Sequence, residues 1–283
     1  GNLTGTSYAM GSSNGSYTEG IRIDSRTNIN SGGGNISMRG KSYKVAVGGA
    51  IGGWGLGFWE LSQAGSIDSG TGTVYLDGYT QTWGTSYGAG VYFKTNQPFT
   101  IKSANTTADA IQIIGTATGP SNDSWGIETE NSSLSVLATG IGSATATGGG
   151  ITIKTSQKNT ASPYEAVFRG VTDILAKSGP INLLGRQGEG IANGIWYINN
   201  AFNLGSKLGS GDVPTSASDI TMKFDRFDFN SFDVSLATTG KIVLAPTDLS
   251  QSFGSSVNTN WFAWSQNSQT ASGITIGSVT NTS

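Results

Sequence analysis

The chain repeats one short pattern: an apolar residue, a polar or amphipathic one, and a second apolar one. It occurs in "GGGNISMRG" (32–40), "GTGTVYLDG" (70–78), "GGGITI" (148–153), "GPINLLG" (179–185) and "SGITIG" (272–277). Aligned on the first apolar residue, the copies begin at Ile36, Val74, Ile111, Ile151, Ile181, Ile220, Ile242 and Ile274. Each has an apolar partner two positions on, from Met38 and Leu76 to Leu244 and Ile276. The residue between is Ser, Tyr, Gln, Thr, Asn, Thr, Val or Thr. Alternation of this kind predicts a strand with one face buried and the other wet.

Two further elements accompany most copies. A second strand follows a glycine or an aromatic in "GIRI" (20–23), "LGFWEL" (56–61), "GVYF" (90–93), "GIET" (126–129) and "GIWYI" (194–198). A third, very short one centres on Ile29, Ile67, Ile101 and Ile174. Copies of the first strand are 38, 37, 40, 30, 39, 22 and 32 residues apart. That range is too irregular for propeller blades and suits coils with variable loops. About 22 residues make one three-sided turn, with the surplus expected as a loop after the third side.

The expected fold is therefore all-β: a parallel β-helix of about eight coils rising roughly 4.8 Å each, a rod of roughly 40 Å. A pair of β-sandwiches fits less well, because hairpin signals such as Asn-Gly are scarce between the strands. No run of ten or more residues has helical periodicity.

Composition narrows the chemistry. Of 283 residues, 36% are hydrophobic and only 12% charged, enough apolar material for a core and too little charge for a disordered tail. The net charge of −2, without a basic run, gives no footprint for nucleic acid, and no apolar stretch is long enough for a membrane helix. Neither partner is expected. Cysteine and histidine are both absent, which removes the usual zinc and haem sites, Cys nucleophiles and His-dependent triads. An enzyme would have to run on carboxylates, Lys, Tyr or Ser. With 43 glycines against 6 prolines and no collagen period, glycine is read as marking turns, including the clusters at 31–35 and 47–57.

The stretches "GIRIDSRTNINSGGGNISMRGKS", "SIDSGTGTVYLDG", "GKIVLAP" and "SGITIGSVTNTS" resemble the repeat region of filamentous haemagglutinin-like exoproteins, long bacterial adhesins exported by two-partner secretion. The resemblance runs over essentially the whole chain, most densely in 19–120, 148–200 and 240–283. It implies a right-handed parallel β-helix, an extracellular or cell-surface location, and roles in adhesion, aggregation or biofilm. Residues 1–283 then form a single repeat segment, an internal part of a longer chain or a unit that stacks into a filament. The terminal sequences do not read as caps for open sheet edges, so flanking repeats or identical units stacked end to end are expected partners.

Two groups of residues are candidates for chemistry. Trp54, Trp59, Trp83, Tyr87, Tyr92 and Trp125 are read as lying in or beside loops and at outward strand positions, where rings could stack on surface glycans. The plainer alternative is that they cover coil corners. Asp219, Asp225 and Asp228 could hold calcium through their oxygens or serve as acid and base on a polysaccharide, against a solvated role. No other cofactor is expected. Polar pairs beside the third strand, Asn30 and Ser31, Asp68 and Ser69, Lys102 and Ser103, are expected to stack as ladders.

The leading functional expectation is a non-enzymatic structural and adhesive module of a secreted or surface-attached bacterial fibre. Alternatives are a carbohydrate-active lyase or hydrolase using paired carboxylates, and an ice- or mineral-binding β-helix, for which the variable central residue makes a poor array.

Overall fold

A computed structural model describes residues 1–10, 18–24, 27–45, 52–59, 63–82, 87–107, 109–119, 123–130, 133–140, 149–158, 164–185, 195–205, 219–224, 226–229, 234–245 and 273–276. Among them there is no helix, and every strand pair is parallel.

The chain passes through three sheets in rotation. The first has nine strands: β1 (Asn2–Met10), β4 (Ile36–Val45), β7 (Val74–Gln81), β10 (Ile111–Thr118), β13 (Ile151–Lys158), β16 (Ile181–Leu184), β19 (Ile220–Lys223), β22 (Lys241–Ala245) and β23 (Gly273–Ile276). The second has seven: β2 (Thr18–Asp24), β5 (Gly53–Trp59), β8 (Tyr87–Lys94), β11 (Asp123–Glu130), β14 (Tyr164–Phe168), β17 (Ile195–Ile198) and β20 (Arg226–Phe229). The third also has seven: β3 (Asn28–Asn30), β6 (Gly65–Asp68), β9 (Phe99–Ser103), β12 (Leu134–Ala138), β15 (Thr172–Ala176), β18 (Phe202–Leu204) and β21 (Val234–Leu236). This is a parallel β-solenoid, in which each strand pairs with its counterparts one circuit away.

Register follows the apolar pattern. Ile36, Val74, Ile111, Ile151, Ile181, Ile220, Ile242 and Ile274 pair in one row across the first sheet. The seven from Ile36 to Ile242 are buried; Ile274 is described through its backbone pairing. The second sheet lines up Ile21, Leu56, Val91, Ile127, Ala166 and Trp196, and the third Ile29, Ile67, Ile101, Val136, Ile174, Leu204 and Leu236. A one-residue slip would expose a whole strand's apolar set, so burial holds every row in place.

The turns leaving the third sheet form the expected ladder. Asn30, Asp68 and Lys102 share a row, with Lys102 Nζ 3.7 Å from Asp68 Oδ2. Asn30 Oδ1 accepts the Gly32 N–H at 2.7 Å and Asp68 Oδ1 the Gly70 N–H at 2.8 Å, while Ser69 and Ser103 both donate to the Gly72 carbonyl at 2.7 Å. Gly32, Gly33 and Gly70 have positive φ here, so these glycines do mark turns.

Two expectations need correcting. The surplus residues do not all form a loop after the third side. Much of the surplus lengthens the first-sheet strands, which run 10, 8, 8 and 8 residues at β4, β7, β10 and β13 but only 4 at β16 and β19. The second correction explains the first. Gly5, Gly40, Gly78 and Gly115 form a mid-strand row in the first sheet, and Gly20, Gly55, Gly90 and Gly126 occupy the second. These glycines are in strands, as is Gly53-Trp54-Gly55 from the cluster read as a turn. A β-carbon on any of the first four would overlap the carbonyl oxygen of its partner in the second sheet, and one on Gly90 would lie 2.5 Å from the Gly78 carbonyl oxygen. Glycine is required because two sheets touch backbone to backbone.

Beyond this row the extended strands seal the seam with small hydroxyls. Ser42 Oγ donates to the Thr18 carbonyl at 2.8 Å, Thr80 Oγ1 donates to the Gly53 carbonyl at 3.0 Å, and Thr82 and Ser124 share a hydroxyl hydrogen bond. In the next circuit Thr155 pairs with Gly115, and its hydroxyl lies 3.4 Å from buried Glu165 Oε2 and accepts the Trp196 indole N–H at 3.2 Å. With β16 the strands shorten, and Phe168, Trp196 and Phe224 pack together in the core.

Gly78→Ala should lower the unfolding free energy in denaturant titration by more than ~3 kcal/mol. Gly34→Ala, whose β-carbon would meet nothing closer than 3.7 Å, should change it by less than ~0.5 kcal/mol.

Candidate functional site

The outward face of the second sheet carries a cavity of about 410 Å³, bounded by Trp54, Trp59, Tyr87, Tyr92, Lys94, Asp123, Trp125, Glu128, Glu130 and Arg169. It is built from three rows. Trp54, Ala89 and Trp125 share one, Gly57, Tyr92 and Glu128 the next, and Trp59, Lys94 and Glu130 the third. The small residues leave the room: Ala89 separates two tryptophans set two strand spacings, about 9.6 Å, apart. Gly57 makes way for Trp59, whose indole a β-carbon there would meet at 2.9 Å.

The rings hold one another. Trp54 stacks on Tyr92 at 5.0 Å and 24°, and meets Trp59 edge-on at 4.6 Å; Trp59 and Tyr92 are 5.1 Å apart. Such contacts add to the area buried and leave each ring little freedom. Cations cover the remaining faces: Arg22 lies 4.9 Å and Lys94 5.4 Å from the Trp59 ring centre, and Arg169 lies 5.3 Å from that of Trp125. Among the described residues the Trp125 indole N–H has no hydrogen-bond partner, although Trp125 is only 7% exposed. A buried donor left this way costs free energy unless an acceptor arrives.

Glu128 and Glu130 lie two apart on β11 and so face the same side. Glu128 is 3% exposed and accepts a hydrogen bond from the Arg169 guanidinium. Burial pushes its carboxyl up to about 8, against the opposing pull of the Arg169 charge, so it holds its proton at neutral pH. Glu130 is more accessible, accepts the Tyr92 hydroxyl hydrogen and lies 4.0 Å from Lys94 Nζ. Burial, then the bond to Glu130 and the nearby carboxylates, hold the Tyr92 phenol far above its ordinary range, so it remains a donor. With Glu128 neutral, the formal charges of Asp123 and Glu130 are matched by Lys94 and Arg169.

Five of the six aromatic residues nominated from sequence meet here, at strand positions. Trp54, Trp59, Tyr87, Tyr92 and Trp125 stand on β5, β8 and β11, and the faces of Trp54, Trp59 and Tyr92 are largely spent on each other. Trp83 lies outside the described residues. Sequence reasoning missed Lys94, Glu128, Glu130 and Arg169. Aligning the second strands on Leu56, Val91 and Ile127 would have found the first three, because Gly57, Tyr92 and Glu128 then share one offset and Trp59, Lys94 and Glu130 another.

The acidic candidates are placed differently. Asp219 is used by the backbone: its Oδ1 accepts the Lys241 N–H at 2.7 Å, tying one circuit to the next. Asp228 is described only through its pairing with Tyr197 in β20, and Asp225 lies outside the described residues. Among the described residues no three acidic side chains converge on a point where an ion could sit.

No protein-family model, curated protein or solved structure matches the chain.

Glu128 gives a signed pH test. Its carboxyl titrates near 4.5 when solvated and near 8 when folded, so between these values the folded state binds the extra proton and stability falls as pH rises. The melting temperature of Glu128→Gln should therefore gain on that of the unsubstituted chain from pH 5 to pH 9. A constant difference across that range would contradict the assignment.

Proposed function

We propose that this chain is a segment of an adhesive shaft of the filamentous haemagglutinin type, and that its aromatic groove binds carbohydrate on a partner surface. On this reading it is a right-handed β-helix of about eight coils, secreted or displayed on a bacterial surface, with no cofactor and no catalytic role of its own. Flanking repeats or stacked copies continue the rod.

One observation carries the binding reading: Trp125, whose buried N–H has no partner among the described residues, lines a cavity whose walls are already locked by ring stacking. A site of this kind pays little ordering entropy when a ligand arrives. Its donors and acceptors, nearly balanced in charge, suit a polyhydroxylated neutral molecule. The volume falls within the range of small-molecule sites. The stiffness attributed to the shaft is supported by the unbroken parallel pairing of the three sheets.

A second reading, a carbohydrate-cleaving enzyme, is favoured by the neighbouring carboxyl groups of Glu128 and Glu130, one protonated at neutral pH. Against it, Glu128 is covered and held by Arg169, which leaves it poorly placed to reach a glycosidic oxygen. Ice or mineral binding has less support, since the outer face of the first sheet mixes Tyr75, Asp77 and Lys154 among its hydroxyls.

A panel of neutral glycans, followed by tryptophan fluorescence, tests both readings. We expect saturable binding that weakens at least tenfold in Trp125→Ala with the circular dichroism unchanged, and no new reducing ends. Reducing ends that appear with the unsubstituted chain and vanish in Glu130→Gln would replace adhesion with hydrolysis.

A further inference from the structure

A second cavity, of about 340 Å³, lies around the corner between the second and third sheets. Its walls come from successive circuits: Asn96 and Gln97 between β8 and β9, Ser133 before β12, and Asn200 between β17 and β18. These side chains are amides and a hydroxyl, with Arg169 the one charged residue on the lining. Arg169 also lines the aromatic groove. Its guanidinium is fixed there by Glu128 and by the Trp125 ring, while its carbonyl accepts the Asn200 Nδ2–H at 3.4 Å and its N–H donates to the Thr129 carbonyl at 3.0 Å. One residue is thus anchored between both spaces.

We infer that the two cavities form a single trough, joined at Arg169, that takes a linear neutral oligosaccharide rather than a single sugar or an anionic chain. This rests on the carbohydrate-binding reading above and extends it. One unit of the ligand lies in the aromatic groove, against Trp125 and within reach of the polar groups of Lys94, Asp123 and Glu130 on its lining. The following units bend round the corner, where amides offer both donors and acceptors to hydroxyl groups. Each cavity alone is in the small-molecule range, so together they accommodate a chain. Selection against sulfated or uronic chains follows from the charges: Lys94 and Arg169 are already balanced on the groove lining by Asp123 and Glu130, and the corner adds no further cation.

The test is calorimetric titration of the full chain with di- and hexasaccharides of the cello-, manno-, xylo- and malto- series, and with a uronic-acid hexasaccharide. The trough predicts that one neutral hexasaccharide binds at least tenfold more tightly than its disaccharide, and that the uronic chain binds more weakly than that hexasaccharide. Asn96→Ala with Gln97→Ala, both at exposed positions, should bring the hexasaccharide down to the disaccharide's affinity and leave the disaccharide unchanged. Equal affinity for the two lengths would overturn the joined trough while leaving the groove as a binding site. Tighter binding of the uronic chain would overturn the neutral preference. Binding by none of the probes would remove the carbohydrate reading, and this inference with it.

Discussion

Parallel pairing in strict register is the constraint on which everything else in this molecule rests. Each strand finds its partners a full circuit away, so every inward residue stands between other inward residues and every outward residue between other outward ones. The hydrophobic columns through Ile111, Val91 and Ile101 follow from that rule. So does the groove, since Trp59, Lys94 and Glu130 are distant in sequence and adjacent only because three strands align. A change that shifts one strand moves both its core face and its share of the site.

Within this frame the glycine row determines how closely the first two sheets approach. Sheets packed face to face usually stand about 10 Å apart because side chains fill the space. Here Gly78 against Gly90 and Gly115 against Gly126 remove the side chains, and hydroxyls such as Thr80 bond directly to the opposing backbone. Where Thr155 and Glu165 take over, the glycine row ends and the buried Trp196 indole reaches the seam, donating to the Thr155 hydroxyl. One sequence repeat therefore produces two kinds of cross-section.

What could be read from the chain alone was whatever repeats locally. The alternation around Ile36 or Val74 announces a strand within three residues, and the recurrence of that signal announces the stack. The glycine seam was illegible because glycine carries no side-chain pattern, and because Gly40 and Gly55 meet across a fold of the chain rather than along it. Ring-bearing residues stood out by rarity, which is why Trp54, Trp59 and Trp125 were singled out. Glu128, Glu130 and Arg169 were not, since a charged residue at an outward strand position looks like ordinary solvated surface. Only the vertical register shows that Glu128 lies beneath Arg169.

The shortening of the first-sheet strands has a mechanical consequence. In a solenoid the backbone hydrogen bonds run along the axis, so a pull on the two ends is carried by all the rungs of one level together and then passed to the next. The first-sheet ladder joins eight residue pairs between β10 and β13 but only four between β13 and β16. The third-sheet ladder falls from five pairs between β12 and β15 to three between β15 and β18. A rod loaded in tension parts at its weakest level, so force would separate this one beyond β13. The glycine-seamed half, which carries most of the aromatic groove, would stay whole on one side of the break.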